Sequence, residues 1–525
     1  MFETAELGRT ISKAEFKKTA PVLREELLEL QYELHRGGPF QVLMVFAGVD
    51  GAGKGETVSL LNAWMDPRWL ITRAYDEAAA DERDRPEFWC YWRDLPPRGQ
   101  IGMFLSAWYH RPVLERVYEQ TDEATFLKQL DRINRFEHGL ARDGALILKF
   151  WMHLSRDAQE KRLTSLENDP LTKARVTERD WQHLGIYDRF IDTAELVISR
   201  TNRGVAPWTV VEGADPNYRS ITVPSLLRDA LERRLREVRV EDSSKAKPGK
   251  ASKKSGNAAA GAADTKTPAA GRRSNSKGFD AANAVTVLSQ LDMSKRVTKA
   301  TYKKTLAELQ ARLHALHLRA KTRKMSSILV FEGPDAAGKG GAIRRVNEAL
   351  DARNYQVYGI AAPTDEELAQ HYLWRFWRRL SRDGHITIFD RSWYGRALVE
   401  RIEGFASEDE WRRSYGEIND FEEQLIDHGT VLVKYWVHIT KEEQLARFKL
   451  RDKTPYKRWK LTEEDWRNRD RWGDYEQAVN DMVQYTSTSA APWTLVEGND
   501  KRFARLKVVK TFCDRLAAAL GDPPG

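Results

Sequence analysis

The segment Gly333-Pro-Asp-Ala-Ala-Gly338-Lys339 has the spacing GxxxxGK, which suits the holding of phosphate. Gly333, Gly338 and Gly340 let backbone N–H groups converge on phosphate oxygens, a following helix N-terminus adds positive potential, and Lys339 neutralises charge. The pattern usually continues with Ser or Thr, whose hydroxyl binds Mg²⁺, but position 340 is Gly. Another group must then hold the metal. Asp335, inside the loop, and Asp390 are the candidates, because hard cations take oxygen ligands. Arg391 follows Asp390 directly and Arg396 comes soon after; a guanidinium fork matches phosphate oxygens. The run from Arg451 through Lys457 to Lys460 gathers positive charge around a proline, which suits a lid over phosphates. Together these residues point to phosphoryl transfer, which rests on positioning and charge neutralisation and needs no Ser-His-Asp or Cys-His nucleophile.

The elements that must carry these residues are legible. Ser327 to Phe331 is a short apolar run ending at the glycines, with a helical pattern after Lys339. His385 to Phe389 is a second apolar run and ends at Asp390; Thr430 to Val437 is a third, and Thr494 to Val496 a fourth. Thr440 has capping-box spacing with Glu443 for a helix over 440–450. Helical patterns over 365–380 and 408–427 separate the others, and 298–320 is an amphipathic helix for packing or subunit contact. Strands alternating with helices predict a parallel sheet covered on both faces, with ligands at the carboxyl ends of the strands.

The chain contains this plan twice. Gly48 to Glu56 repeats Gly333 to Gly341, and Asp50 and Asp335 stand 285 residues apart. The same offset pairs Trp92 with Trp377, Trp108 with Trp393, Glu137 with Glu422, Lys149 with Lys434 and Trp208 with Trp493. A domain-sized period means two fused copies of one domain. The expected organisation is a first domain over 1–240, a linker over 241–280 and a second domain over 281–525. Within the linker, 243–278 is rich in Ala, Gly, Ser and Lys, without aromatic residues, and the linker is expected to be disordered. Residues 241–278 carry six of the eight net positive charges, so the net charge says little about partners. No specific nucleic acid is expected. Two cysteines, Cys90 and Cys513, make no disulfide framework. No membrane-spanning run or secretory leader is visible, so a cytoplasmic location is expected.

The copies diverge where charge matters. Asp390 faces Leu105 under the offset, Arg391 faces Ser106, Arg451 faces Leu166 and Lys457 faces Thr172, whereas Asp50 and Lys54 survive. The first half is therefore expected to be structurally required and catalytically silent. Whether it binds polyanions or serves only as scaffold stays open.

In order, FEGPDAAGKGG, FDRSWYGRALVER, FEEQL, RDKTPYKRWKLTEEDW and APWTLVEGNDK resemble the family-2 polyphosphate kinases over about 300–510, and more weakly over about 15–220. The resemblance implies two tandem α/β P-loop kinase domains of thymidylate-kinase type, Mg²⁺ dependence, and phosphoryl transfer between inorganic polyphosphate and nucleotides. It implies Asp335 and Asp390 around the metal, Lys339 and Arg391 on transferring phosphates, and Arg451 and Lys457 in a lid. The tandem form resembles the subgroup that converts AMP to ADP, and it suggests an intramolecular pseudo-dimer, with further oligomerisation open. An ATP-dependent nucleotide kinase and a non-catalytic polyphosphate- or nucleotide-binding regulator are the alternatives.

Overall fold

The computed structural model describes residues 1–75, 78–170, 172–173, 176–245, 286–453 and 462–522. Lys457, Lys460 and most of the expected linker lie outside the described residues. Five strands form a parallel sheet in the first half: β1 (Val42–Gly48), β2 (Leu70–Ala74), β3 (Ile101–Leu105), β4 (Leu146–His153) and β5 (Trp208–Glu212). The second half repeats it with β6 (Ser327–Glu332), β7 (Tyr355–Gly359), β8 (Ile386–Asp390), β9 (Val431–His438) and β10 (Trp493–Glu497). The strand orders, β2-β3-β1-β4-β5 and β7-β8-β6-β9-β10, are equivalent. Every pair is parallel, as strand-helix alternation requires.

The strand pleat assigns each sheet two buried faces. In β6, Leu329 and Phe331 turn toward an outer core with Ile343, Leu313 and Val508, from helices Lys339–Asn347, Lys299–Thr322 and Lys501–Ala519. Ile328 and Val330 turn toward an inner core with Ile418, Phe421 and Val479. That inner core is continuous across both halves, taking in Val45, Trp92 and Phe136 of the first. The amphipathic helices Lys13–Gly37 and Lys299–Thr322 pack on the last helix of their own half.

Two sequence expectations need correction. The edge strand β7 was not expected; only Tyr355 and Tyr358 in it are part-buried, so it lacks the apolar run that marks a central strand. The single helix expected over 365–380 is two short stretches, Asp365–Leu368 and Trp374–Trp377. The backbone between them is diverted to bond the other half, with Ala369 O accepting from Arg98 N (2.9 Å) and Gln370 Nε2 donating to Leu95 O (3.2 Å). In addition, the helix Pro216–Lys245 runs into the stretch assigned to the linker.

The halves meet about a pseudo-twofold axis. Arg98 N to Ala369 O has its mirror in Asp383 N to Asp84 O (3.1 Å), because 98 and 383, like 84 and 369, are counterparts. Gln370 to Leu95 is mirrored by Arg85 Nε to Leu380 O (3.4 Å). The counterparts Trp92 and Trp377 stack on each other, ring centroids 5.9 Å apart. Such reciprocity is the mark of an isologous interface. Charge departs from the symmetry. Arg132, Arg135 and Arg142 on helix Glu123–Arg142 correspond to Glu417, Asp420 and Asp427 on helix Glu408–Asp427. Arg135 pairs with its own counterpart Asp420 (3.0 Å), and Arg132 with Asp427. Burial pushes the Asp420 carboxyl up to about 6 against the pull of Arg135.

Inside each half, a buried ammonium-carboxylate pair ties the layers together. Lys434 on β9 donates to Glu422 (2.7 Å), to the Tyr394 hydroxyl (3.0 Å) and to Thr486 O (2.6 Å). Trp393 and Tyr394 also donate to Glu422, at 3.0 and 2.6 Å. Lys149, Glu137, Trp108, Tyr109 and Thr201 repeat the arrangement. Burial pushes Glu422 up and Lys434 down, toward neutrality, while each opposes the other's shift; wherever the proton sits, the pair has no net charge.

Removing one partner of such a pair strands a buried charge at a cost of about 3–5 kcal/mol. Lys149→Met and Lys434→Met should therefore lower the thermal midpoint comparably. A silent Lys149→Met would show that the fold does not depend on the first copy of the pair.

Candidate active site

The phosphate loop joins β6 to helix Lys339–Asn347. Gly333 has φ 147° and lies so close to β9 that a Cβ there would collide with Val437 O; Gly338 has φ 112°. Both positions therefore need glycine. Ala336 is held at φ 63°, an uncommon conformation for a residue with a side chain. Arg447 maintains it: buried, it donates to Ala336 O (2.9 Å) and Ala337 O (2.7 Å), and on its other side to Gly498 O (2.6 Å) and Asn499 O (3.1 Å). Glu443 grips the same guanidinium at 2.7 Å. Glu443 is thus drawn to Arg447, and Thr440 caps its helix alone, accepting from Glu443 N.

Lys339 lies over the loop, its ammonium 2.6 Å from Gly333 O. Asp335 accepts from Arg391 Nη2 on one oxygen (2.7 Å) and from Asn468 on the other (3.0 Å). Burial alone would raise the Asp335 carboxyl, but Lys339 and Arg391 hold it below the ordinary value of 3.8. Arg391 sits at φ 65°, with its N–H bonded to Phe331 O at 3.0 Å. This left-handed turn swings the guanidinium from the end of β8 to the loop. Asp390 ends β8, and its Oδ2 would lie 4.0 Å from a Cβ added to Gly340, so no side chain comes between the helix start and this carboxylate. Behind both, buried Glu332 accepts from Ser392 Oγ (2.8 Å), and burial raises its pKa. A cavity of about 90 Å³ opens beside Asp335 and Arg391.

A divalent cation fits this donor set in one way. Among the described residues no cluster of three or more carboxylate, His or Cys groups forms a self-contained cage. Asp335 and Asp390 carry the hard oxygens that would hold such an ion, with phosphate and water filling its other positions, as suits a divalent cation such as Mg²⁺.

The family model described as polyphosphate kinase 2 matches residues 10–239 and 296–522, so it covers both copies. The chain belongs to the polyphosphate kinase 2 family. It is 48% identical over 519 residues to the polyphosphate:AMP phosphotransferase of Pseudomonas aeruginosa, covering 99% of each chain. With a protein of the same name from Acinetobacter johnsonii it shares 36% identity over 508 residues, 95% of this chain and 97% of that one. The fold also matches the crystal structure of a putative polyphosphate kinase 2 from Pseudomonas aeruginosa, with a TM-score of 0.84, 46% identity and full coverage of both chains.

Of the residues singled out in the sequence, this polyphosphate kinase 2 structure brings Gly333, Asp335, Gly338, Lys339, Gly340, Asp390 and Arg391 to one end of the second sheet. Arg396 is placed differently: it pairs with Glu400 (3.2 Å), lies over the Tyr372 ring and does not line the cavity. Arg451 ends helix Lys441–Asp452, close enough to Asp465 to act on its carboxyl. Glu332, Ser392, Arg447 and Asn468 escaped the sequence reading. For the first two the signal was the offset itself, since Ala47 and Ala107 stand opposite them.

In the first half the corresponding loop is satisfied from within. Asp50 binds His183 (2.6 Å) and lies 3.5 Å from Lys54. Glu56, where the second half has Gly341, is gripped by Arg162 (2.6 Å) and by buried Arg219. The Arg219 guanidinium presses on Gly53. Ser106 keeps the left-handed turn of Arg391, at φ 67°, without its charge.

Because the folded state depresses the Asp335 pKa, its stabilising effect is present above pH 3.8 and lost as pH falls through the lower folded value. Asp335→Asn should melt below wild type at neutral pH, and the gap should close in acid. A gap independent of pH would contradict this electrostatic account.

Proposed function

We propose that the second half transfers the terminal phosphoryl group of inorganic polyphosphate to AMP, releasing ADP and a polyphosphate one unit shorter. What carries this reading is that only the second copy unites Asp335, Lys339, Asp390 and Arg391 around a phosphate loop; the first has Leu105 and Ser106 in place of the last two. The choice of donor and acceptor is supported by the name of the full-length relatives.

The chemistry asks little of covalent catalysis. A phosphate oxygen of AMP, already deprotonated at neutral pH, attacks the terminal phosphorus. The bond to the bridging oxygen breaks, and the shortened polyphosphate leaves with that electron pair. The chain must hold donor and acceptor in line and neutralise charge that spreads over the phosphoryl oxygens. Loop N–H groups and Lys339 hold donor phosphates, while Arg391, released from Asp335, reaches the transferring group. Mg²⁺, held by Asp335 and Asp390, would supply charge neutralisation on the phosphate oxygens. Arg451, with Lys457 and Lys460 beyond the described residues, would close over the chain of phosphates.

The direct test is ADP formation from AMP with polyphosphate and no ATP. Product appearing only with ATP would overturn the reading. Asp390→Asn should keep the fold and lower turnover by roughly 10²-fold or more, because a ligand charge is lost; near-normal rates would remove Asp390 from the site. Lys339→Ala should nearly abolish turnover while Lys54→Ala leaves most of it. Equal losses in two folded variants would give the first half a catalytic part.

A further inference from the structure

The two copies of the phosphate loop share a backbone and differ in what lies over it. Gly48 and Gly53 have φ 126° and 92°, as Gly333 and Gly338 have 147° and 112°, and Gly53 likewise leads into a helix, Lys54–Trp64. A Cβ added to Gly338 would meet nothing nearer than Arg447 Nη1, at 3.7 Å, whereas one added to Gly53 would collide with the Arg219 guanidinium. The stem of Arg162 covers Gly51, its Cγ 3.3 Å from where a Cβ would stand. Two arginines are thus laid across the first loop. The second half differs at both positions: Arg447, the counterpart of Arg162, turns to the loop carbonyls, and Ala504 stands opposite Arg219.

Glu56 is what draws the arginines there. It stands in the first turn of its helix, and its two carboxylate oxygens accept from Arg162 Nη2 (2.6 Å) and from Arg219 Nη2. Only 4% of the Arg219 side chain is exposed, so its charge needs a partner within reach. The carboxylate meets what a bound phosphate would meet at this place, the positive end of a helix and two guanidinium groups. Gly341 brings no carboxylate to the same position in the second half, although a cation remains beside it: Arg505 Nη2 lies 3.1 Å from where a Cβ would stand. We infer that Glu56 is a built-in anion that latches Arg162 and Arg219 over the loop of the first half, so that this half takes up no phosphate or polyphosphate despite its glycines and Lys54. Beneath the latch the Lys54 ammonium is folded back on Gly48 O (2.6 Å) and Val49 O (2.9 Å), and Asp50 is held by His183 (2.6 Å). The first loop is a latent anion site closed by one side chain.

The test counts bound ligands. Tripolyphosphate titrated calorimetrically into the full-length protein should bind Glu56→Gly, which carries the residue of the second half, at one site per chain more than wild type. Adding Lys54→Ala to Glu56→Gly should remove the extra site, and Lys54→Ala alone should leave the wild-type count unchanged. Glu56→Gly should also melt below wild type, because Arg219 keeps its charge without its partner, and tripolyphosphate should raise the thermal midpoint of the variant by more than that of wild type. Glu56→Gln, read in the same way, serves if Glu56→Gly does not fold. A folded variant that gains no site, or a wild-type count that falls with Lys54→Ala, would overturn the inference. The count is a difference between variants and does not depend on what the second half does. A wild type that makes no ADP from polyphosphate would overturn the proposed function and leave this reading standing.

Discussion

The contact on which most of each half depends is the buried pair between Lys434 and Glu422, with its twin between Lys149 and Glu137. Four elements converge on it: β9 through Lys434, the interface helix through Glu422, the turn after Arg391 through Trp393 and Tyr394, and the last inner helix through Thr486. An apolar cluster would stabilise those layers but would leave them free to slide, because dispersion is not directional. The pair fixes their register, since a buried ammonium and carboxylate tolerate no unfilled hydrogen bond. Both copies keep it to within a few tenths of an ångström, although only one keeps the charged site.

The site itself is a surplus of charge held in place by backbone. Arg391 and Lys339 face Asp335, and Asp390 waits at the end of β8. These charges satisfy one another through ion pairs of the kind that a polyanion could replace. In the first half the equivalent contacts are closed: Glu56 lies between Arg162 and Arg219, and Asp50 lies against His183. An internal carboxylate there takes up the cationic groups that a phosphate would need. Ser106 shares the positive φ of Arg391 but not its charge.

Much of this was legible because it follows from local rules. The glycine loop, the strands on either side of Asp390 and the duplication came from spacing and apolar runs, and the charge differences at Leu105 and Ser106 came from comparing the chain with itself. What escaped depends on contacts distant in sequence. Arg447 looks like any surface arginine of a helix until Gly498 is found beside it. Asn468 has no signature apart from its position against Asp335. The break between Leu368 and Trp374 comes from bonding to the other half, which no helical period records. Glu332 was concealed for a different reason: a single charge at the end of an apolar strand looks like the strand's boundary.

On the pseudo-twofold axis, Arg135 meets Asp420. In a dimer of two identical copies, whatever occupied that position would meet its own counterpart. With arginine in one copy and aspartate in the other, either half pairing with its own kind would set two carboxylates or two guanidiniums against each other across the axis. The charge asymmetry thus favours the pairing of unlike halves over a homodimer of either one.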